Sequence, residues 1–192
     1  LGTSTGAASA AAGAAAAGAA GAAAAGAASA GLASAAGAVT AAGAPAAVTL
    51  TIAPGAIVYG GTGVSWLAVN RGNKINATGT ATAPIIFTSR DNVLGLNTDQ
   101  SSGQWGGIVL LGRAPITDCR VAGATPGAAD CDRQTEGAAD PALYGGATPT
   151  DSSGTLKYVQ IRYSGYVLSG NSELQSLTAS GVGSGTVLEY IQ

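Results

Sequence analysis

What most constrains this chain is a series of short apolar runs, broken every few residues by Gly, Pro, Asn, Asp or Ser, with no amphipathic helix between them. Val48-Thr-Leu-Thr-Ile52 alternates apolar and polar residues with period two and ends at the turn Ala53-Pro54-Gly55. Short strands are expected next at 56–59, 66–69, 74–77 and 84–88. Gly107-Ile-Val-Leu-Leu111 is almost continuously apolar, the pattern of a strand buried on both faces. Residues 155–163 alternate again, and 172–179 and 186–191 complete the series. An all-β chain of short strands leaves a sandwich, barrel, propeller or solenoid. Corners of one or two small residues, with no Asn-Gly or Asp-Gly dipeptide, weigh against a meander of antiparallel hairpins. Charged residues make up only 9% of the chain and glycine is abundant, which suits a stack in which each rung covers its neighbour. The expected fold is all-β: a right-handed parallel β-helix, or β-solenoid.

The chain changes character near residue 47. Positions 1–47 are almost entirely Ala and Gly with a few Ser and Thr, and the first charged residue is Arg71. Poly-Ala favours helix, but each Gly costs about 1 kcal/mol against Ala in a helix interior. A silk-like cross-β stack of small side chains is a second reading. We favour a third, in which the Ala/Gly text holds the place of unidentified side chains in N-terminal rungs or a cap. A tract this poor in large side chains has little surface to bury against its ordering entropy. The expected organisation is therefore a low-complexity segment at 1–47 and a β-helix at 48–192, with a disulfide-closed insertion around 113–153.

Three segments resemble a known family. Val48-Thr-Leu-Thr-Ile-Ala-Pro-Gly-Ala-Ile-Val-Tyr-Gly60 is similar to the opening rung of bacterial β-helix proteins that are secreted or associated with the outer membrane. Residues 79–89 followed by Trp105-Gly-Gly-Ile-Val-Leu-Leu-Gly112 resemble the next rungs, and 155–165 with 177–192 continue them. The resemblance covers about 48–192. It implies a Gram-negative extracellular or outer-membrane-surface setting and a protein mostly without known activity. It brings no catalytic residues with it. The family's strand before the opening rung carries larger apolar side chains than 1–47 does, which agrees with the placeholder reading.

Composition excludes several chemistries. The chain has no His, so Ser-His-Asp, Cys-His and histidine–metal sites cannot be built within it. A formal net charge of −2 offers no basic patch for nucleic acid. No stretch has the Leu, Ile and Phe content that membrane insertion requires. There is no Met and residue 1 is Leu, so a processed or truncated piece is expected, without a signal peptide. The final strand stops without a polar cap, so the solenoid is expected to be a fragment that continues beyond Gln192 or is covered by another subunit.

Few residues invite chemistry. Cys119 and Cys131 flank a short polar loop, and in a chain of extracellular character they most simply form a disulfide. Two thiols without His are too few for a zinc site, and their spacing is not that of a redox pair. Asp118, Asp130, Asp132, Glu136 and Asp140 gather around that loop, and calcium is the cofactor such oxygen ligands would hold. The alternative is a solvated loop in which Arg120 and Arg133 balance the acids. Glycoside hydrolysis needs two carboxyl groups on one groove; Asp151, Glu173 and Glu189 are candidates only in that they are present. Trp105, Tyr158, Tyr163 and Tyr166 either stack on sugar rings or fill rungs. Asn76-Ala77-Thr78 matches a glycosylation sequon, without weight in a bacterial protein. The chain reads as a non-enzymatic extracellular or cell-surface scaffold, structural or adhesive, with self-association or a surface glycan as its partner. The alternative reading is a carbohydrate-binding or carbohydrate-active β-helix.

Overall fold

The computed structural model describes residues 47–61, 64–136, 142–170 and 172–192. The Ala/Gly tract, Ala47 excepted, lies outside the described residues, as does Asp140. In chain order the elements are β1 (Thr49–Ile52), β2 (Ile57–Gly60), β3 (Leu67–Val69), β4 (Lys74–Thr78), β5 (Ile85–Ser89), α1 (Arg90–Val93), β6 (Ile108–Leu111), β7 (Arg133–Gln134), β8 (Leu143–Tyr144), β9 (Gly154–Ile161), β10 (Tyr166–Ser169), β11 (Ser172–Leu174), β12 (Leu177–Ser180) and β13 (Val187–Ile191).

These strands wind into a parallel β-helix with three faces. On the first face β1, β4, the start of β9 and the start of β13 stack in parallel. On the second, β2, β5 and the end of β9 do the same, and on the third β3, β6 and β12. Parallel neighbours need a long connection between them. Here the rest of each turn supplies it, so strands too short to stand alone are paired above and below.

Register turns period-two alternation into columns. Ile52, Ala77, Leu156 and Leu188 align on the first face. Val58, Phe87 and Ile161 align on the second, and Leu67, Ile108 and Leu177 on the third. Val58, Ile75, Phe87, Ile108, Leu110, Leu156 and Val159 are buried together as the solenoid core. Gly154, where the chain rejoins the stack after the long insertion, has φ +106° and leaves no room for a Cβ against the Ile75 carbonyl. Only glycine suits that backbone.

The third face is buried on both sides. Ile108 and Leu110 point into the core, whereas Val109 and Leu111 belong to a second cluster outside it. Ala142 and Leu174 complete that outer cluster, with Trp66, Tyr144 and Leu168 packed against it. The covering residues come from two insertions. One, between β6 and β9, carries the antiparallel pair β7–β8; the other is the antiparallel hairpin β10–β11. The continuous apolar run at 107–111 thus reports double burial, as expected.

Two local expectations need correction. The run at 172–179 is two strands, β11 and β12, because Leu174 turns outward to cover β6 while Leu177 turns into the stack. The chain also holds a one-turn helix, α1, capped where the Ser89 hydroxyl accepts from Asn92 N–H at 3.1 Å. Among the described residues no helix is long and apolar enough to cross a membrane.

Since Leu111 is fully buried beneath the insertions, Leu111→Ala is expected to lower unfolding free energy by about 2–5 kcal/mol, as much as Leu110→Ala. Urea denaturation of the two variants checks this. A loss at Leu111 below about 0.5 kcal/mol, the value for an open surface, would mean the outer cluster contributes nothing.

Candidate functional site

The long insertion is organised around its disulfide. Cys119 and Cys131 are bonded, as the sequence led us to expect, and Cys131 is fully buried. The bridge fixes its acidic neighbours against guanidinium groups. Asp118 pairs with Arg133 at 3.1 Å, and Asp132 pairs with Arg120 at 3.1 Å and Arg71 at 3.8 Å. Arg71 also donates to the Gly145 carbonyl at 3.0 Å, which ties the corner before β4 to the insertion. The Ser172 hydroxyl donates to Glu136 at 3.4 Å, so Glu136 faces the hairpin. Asp130 is exposed. Of the carboxylates expected as calcium ligands, two are thus engaged by arginines and one turns to the β11 hydroxyl. Among the described residues no three His, Cys, Asp or Glu side chains gather as a metal would require.

The carboxylates considered for hydrolysis come from three separate parts of the chain. Asp151 accepts from the Arg113 backbone N–H at 2.7 Å, in the insertion's return to the stack. Glu173 sits on the hairpin opposite Val167. Glu189 lies on the first face, paired with Lys157 at 2.7 Å. Asp151 thus lies in the loop before β9, Glu173 on β11 and Glu189 on β13.

The aromatic candidates divide. Trp105 is 3% exposed and donates its indole N–H to the Arg162 carbonyl at 2.8 Å, which makes it a rung-filling residue. It lines a shallow apolar pocket with Tyr59, Trp66 and Phe87. Tyr163 turns the corner towards the third face with φ +57°, its carbonyl accepting from Gln104 N–H. Tyr166 opens the hairpin. Tyr158 is half-buried beneath Tyr190, their rings stacked at 4.4 Å and 3°. Tyr190, which the sequence reading passed over, is 65% exposed.

That stack sits where the first face bends into the second. Earlier rungs make this bend with Pro54-Gly55 and with the loop 79–83. The last two make it with a single tyrosine at positive φ, +50° for Tyr158 and +52° for Tyr190. Lys157 lies beside it, 5.7 Å from the Tyr190 ring centre. The signal was present in the sequence as an imperfect repeat, Leu156-Lys-Tyr-Val-Gln160 and Leu188-Glu-Tyr-Ile-Gln192, 32 residues apart. Asn76 of the sequon is exposed on the first face and accepts from the Thr78 hydroxyl at 2.8 Å.

Three stacked parallel faces around one apolar core define a parallel β-helix. The profile of the pectate-lyase-like β-helix domain matches residues 37–192, and the chain belongs to that family. No curated protein and no solved structure matches the chain.

Two outcomes follow. Replacing both cysteines by serine is expected to cost about 3 kcal/mol, the chain-entropy value for a loop of this size, measured by urea unfolding of oxidised protein and variant. The Lys157 ammonium is held above its ordinary 10.5, first by its hydrogen bond to Glu189 and then by that carboxylate's charge. A raised amine contributes stability that is complete below its unfolded pKa and is lost as pH rises through the folded one. NMR titration is therefore expected to place Lys157 above 10.5 in the native protein and back near that value in Glu189→Gln.

Proposed function

We propose that this domain is a non-enzymatic scaffold, structural or adhesive, working outside the cell or on the surface of a Gram-negative bacterium. The observation that carries the reading is the dispersal of its ionisable groups. Asp118, Asp132 and Glu189 are matched to arginine or lysine neighbours, and Asp151 to a backbone N–H. Hydrolysis of a glycosidic bond calls instead for two carboxyl groups facing one another across a substrate. The disulfide agrees with an oxidising compartment. In this reading the solenoid is a rigid spacer, and the two insertions on its third face are what it presents, since loops on a rigid frame carry most recognition.

A second reading, carbohydrate binding, is favoured by one feature. Tyr190 offers an exposed ring fixed from behind by Tyr158, a geometry suited to the apolar face of a sugar.

Incubation of purified protein with pectate, xylan, cellulose and chitin oligosaccharides, followed by product chromatography, separates the readings. The scaffold reading expects no products from any of them. Products that vanish in Asp151→Asn, Glu173→Gln or Glu189→Gln would overturn it. Retardation in gels containing the same polysaccharides, lost in Tyr190→Ala, would instead support glycan binding.

A further inference from the structure

The loop closed by the disulfide is held differently from the rest of the chain. Between Cys119 and Cys131 the backbone bonds close short turns, with Ala124, Ala128 and Cys131 N–H donating to the carbonyls of Val121, Thr125 and Ala128. Only Arg120 and Gly127 N–H reach beyond the loop, to the carbonyls of Asp132 and Ile116. None of residues 117–130 is buried. A segment without a buried anchor opens at small cost, and exposed loop tips of small residues are where proteases cut. Arg120 stands at the head of this loop. Asp118, Arg120, Val121, Ala122 and Gly123 are exposed and Cys119 is half-buried. The peptide group joining Arg120 to Val121 takes part in no hydrogen bond among the described residues. Val121 is 50% exposed, and a Cβ on Gly123 would meet open space.

The chain has eight Lys and Arg residues, all within the described residues, and the others are held. Lys74, Arg133 and Lys157 lie in paired strands. Behind Arg90 and Arg113 the chain is buried, at Thr88-Ser89 and at Leu111-Gly112. Arg162 donates its N–H to the Phe87 carbonyl, and its own carbonyl accepts from the Trp105 indole. The bond after Arg71 lies in the tight corner between β3 and β4, where a Cβ on Gly72 would strike the Arg113 guanidinium.

We propose that the Arg120–Val121 bond is a cleavage site for an endoprotease of arginine specificity, which converts the domain into two chains that the disulfide keeps together. Such an enzyme takes its substrate as an extended strand, and residues 118–123 can be lifted into that form while every rung of the solenoid stays paired. The Arg120 side chain has to leave Asp132, a partly exposed ion pair that costs little to break, and Asp132 keeps Arg71. Hydrolysis adds one water across the amide, leaving a carboxylate on Arg120 and an ammonium group on Val121. The new amino-terminal tail, from Val121 to Asp130, stays tethered at Cys131 through its bond to Cys119. The proposal stands apart from the scaffold reading, because it concerns the insertion and holds whatever the solenoid does.

The test is limited digestion of the folded, oxidised protein by trypsin, followed by intact-mass spectrometry. The first product is expected to be heavier than the starting chain by one water and to split on reduction into 1–120 and 121–192. Its circular dichroism before reduction is expected to match that of the uncut protein. Arg120→Gln is expected to slow the first cut about tenfold or more, because the remaining sites are reached only by opening paired or buried backbone. Arg120→Lys is expected to be cut at the same bond, which separates recognition of the side chain from loss of its ion pair. A first cut at any other basic residue overturns the proposal, as does an Arg120→Gln protein cut as fast as the parent. It is also overturned by a nicked product that loses its folded spectrum before reduction, or by trypsin held in a stable complex with the bond intact, the behaviour of an inhibitor loop.

Discussion

The ladder around β9 is the interaction on which the rest of the stack depends. This one strand pairs with β4 and β5 below and β13 above, and it runs through the corner at Tyr158, so two faces of the solenoid share a single stretch of backbone. Each short strand of those faces is too small to hold itself, and a parallel ladder gives it partners without a hairpin. The arrangement works only if the chain arrives in register after 42 residues of insertion between Leu111 and Gly154. Gly154 makes that arrival possible, because its backbone passes against Ile75 at a φ that other residues resist. From there Leu156, Val159 and Ile161 fall into columns begun two rungs earlier.

The insertions follow from the same economy of surface. A three-faced solenoid needs its strands apolar on one side only, and the first face obeys this with Thr49, Thr51, Asn76 and Thr78 facing solvent. The third face does not, since Val109 and Leu111 are as buried as Ile108 and Leu110. That outward apolar surface exists to hold β8 and the β10–β11 hairpin, and the ion pairs of Arg71, Arg120 and Arg133 then fix the long insertion from its polar side. Apolar contact supplies the larger share of that attachment. Partly exposed ion pairs contribute roughly 1 kcal/mol each at most, whereas burial of a leucine contributes about 1.5–3 kcal/mol.

Much of the solenoid was legible because its strands obey local rules. Period-two alternation located β1 and β9, small-residue corners separated their neighbours, and the unbroken run at 107–111 announced double burial before any partner was known. The cysteine pair was equally plain. What escaped were features decided by contacts distant in sequence. Nothing local says that Leu174 faces outward and Leu177 inward, so 172–179 read as one strand. The pair β7–β8 has no such dipeptide between its strands, and Gly170-Asn171 between β10 and β11 was passed over because only Asn-Gly and Asp-Gly were sought. The helix α1 is a single turn, too short for periodicity to register. In the acidic loop the sequence offered both a ligand set and balancing arginines, and the structure pairs Arg133 with Asp118 and Arg120 with Asp132. Tyr190 was missed because single positions were weighed before the 32-residue repeat that aligns it with Tyr158.

The corner tyrosines sit where the backbone would accept glycine more readily. A non-glycine residue at positive φ costs about 1 kcal/mol or more. Stacking of two rings returns about 0.5–1.5 kcal/mol, shared between two such corners, and the exposed Lys157–Glu189 pair adds little. The balance of the two corners is a net cost. Glycine, which makes the bend beside Pro54 at φ +76°, would serve the backbone at Tyr158 and Tyr190 without strain. Stability therefore gives no reason to keep tyrosine at this bend in successive rungs. What the two rungs share is the stack itself, one ring set on the other at 4.4 Å and 3°.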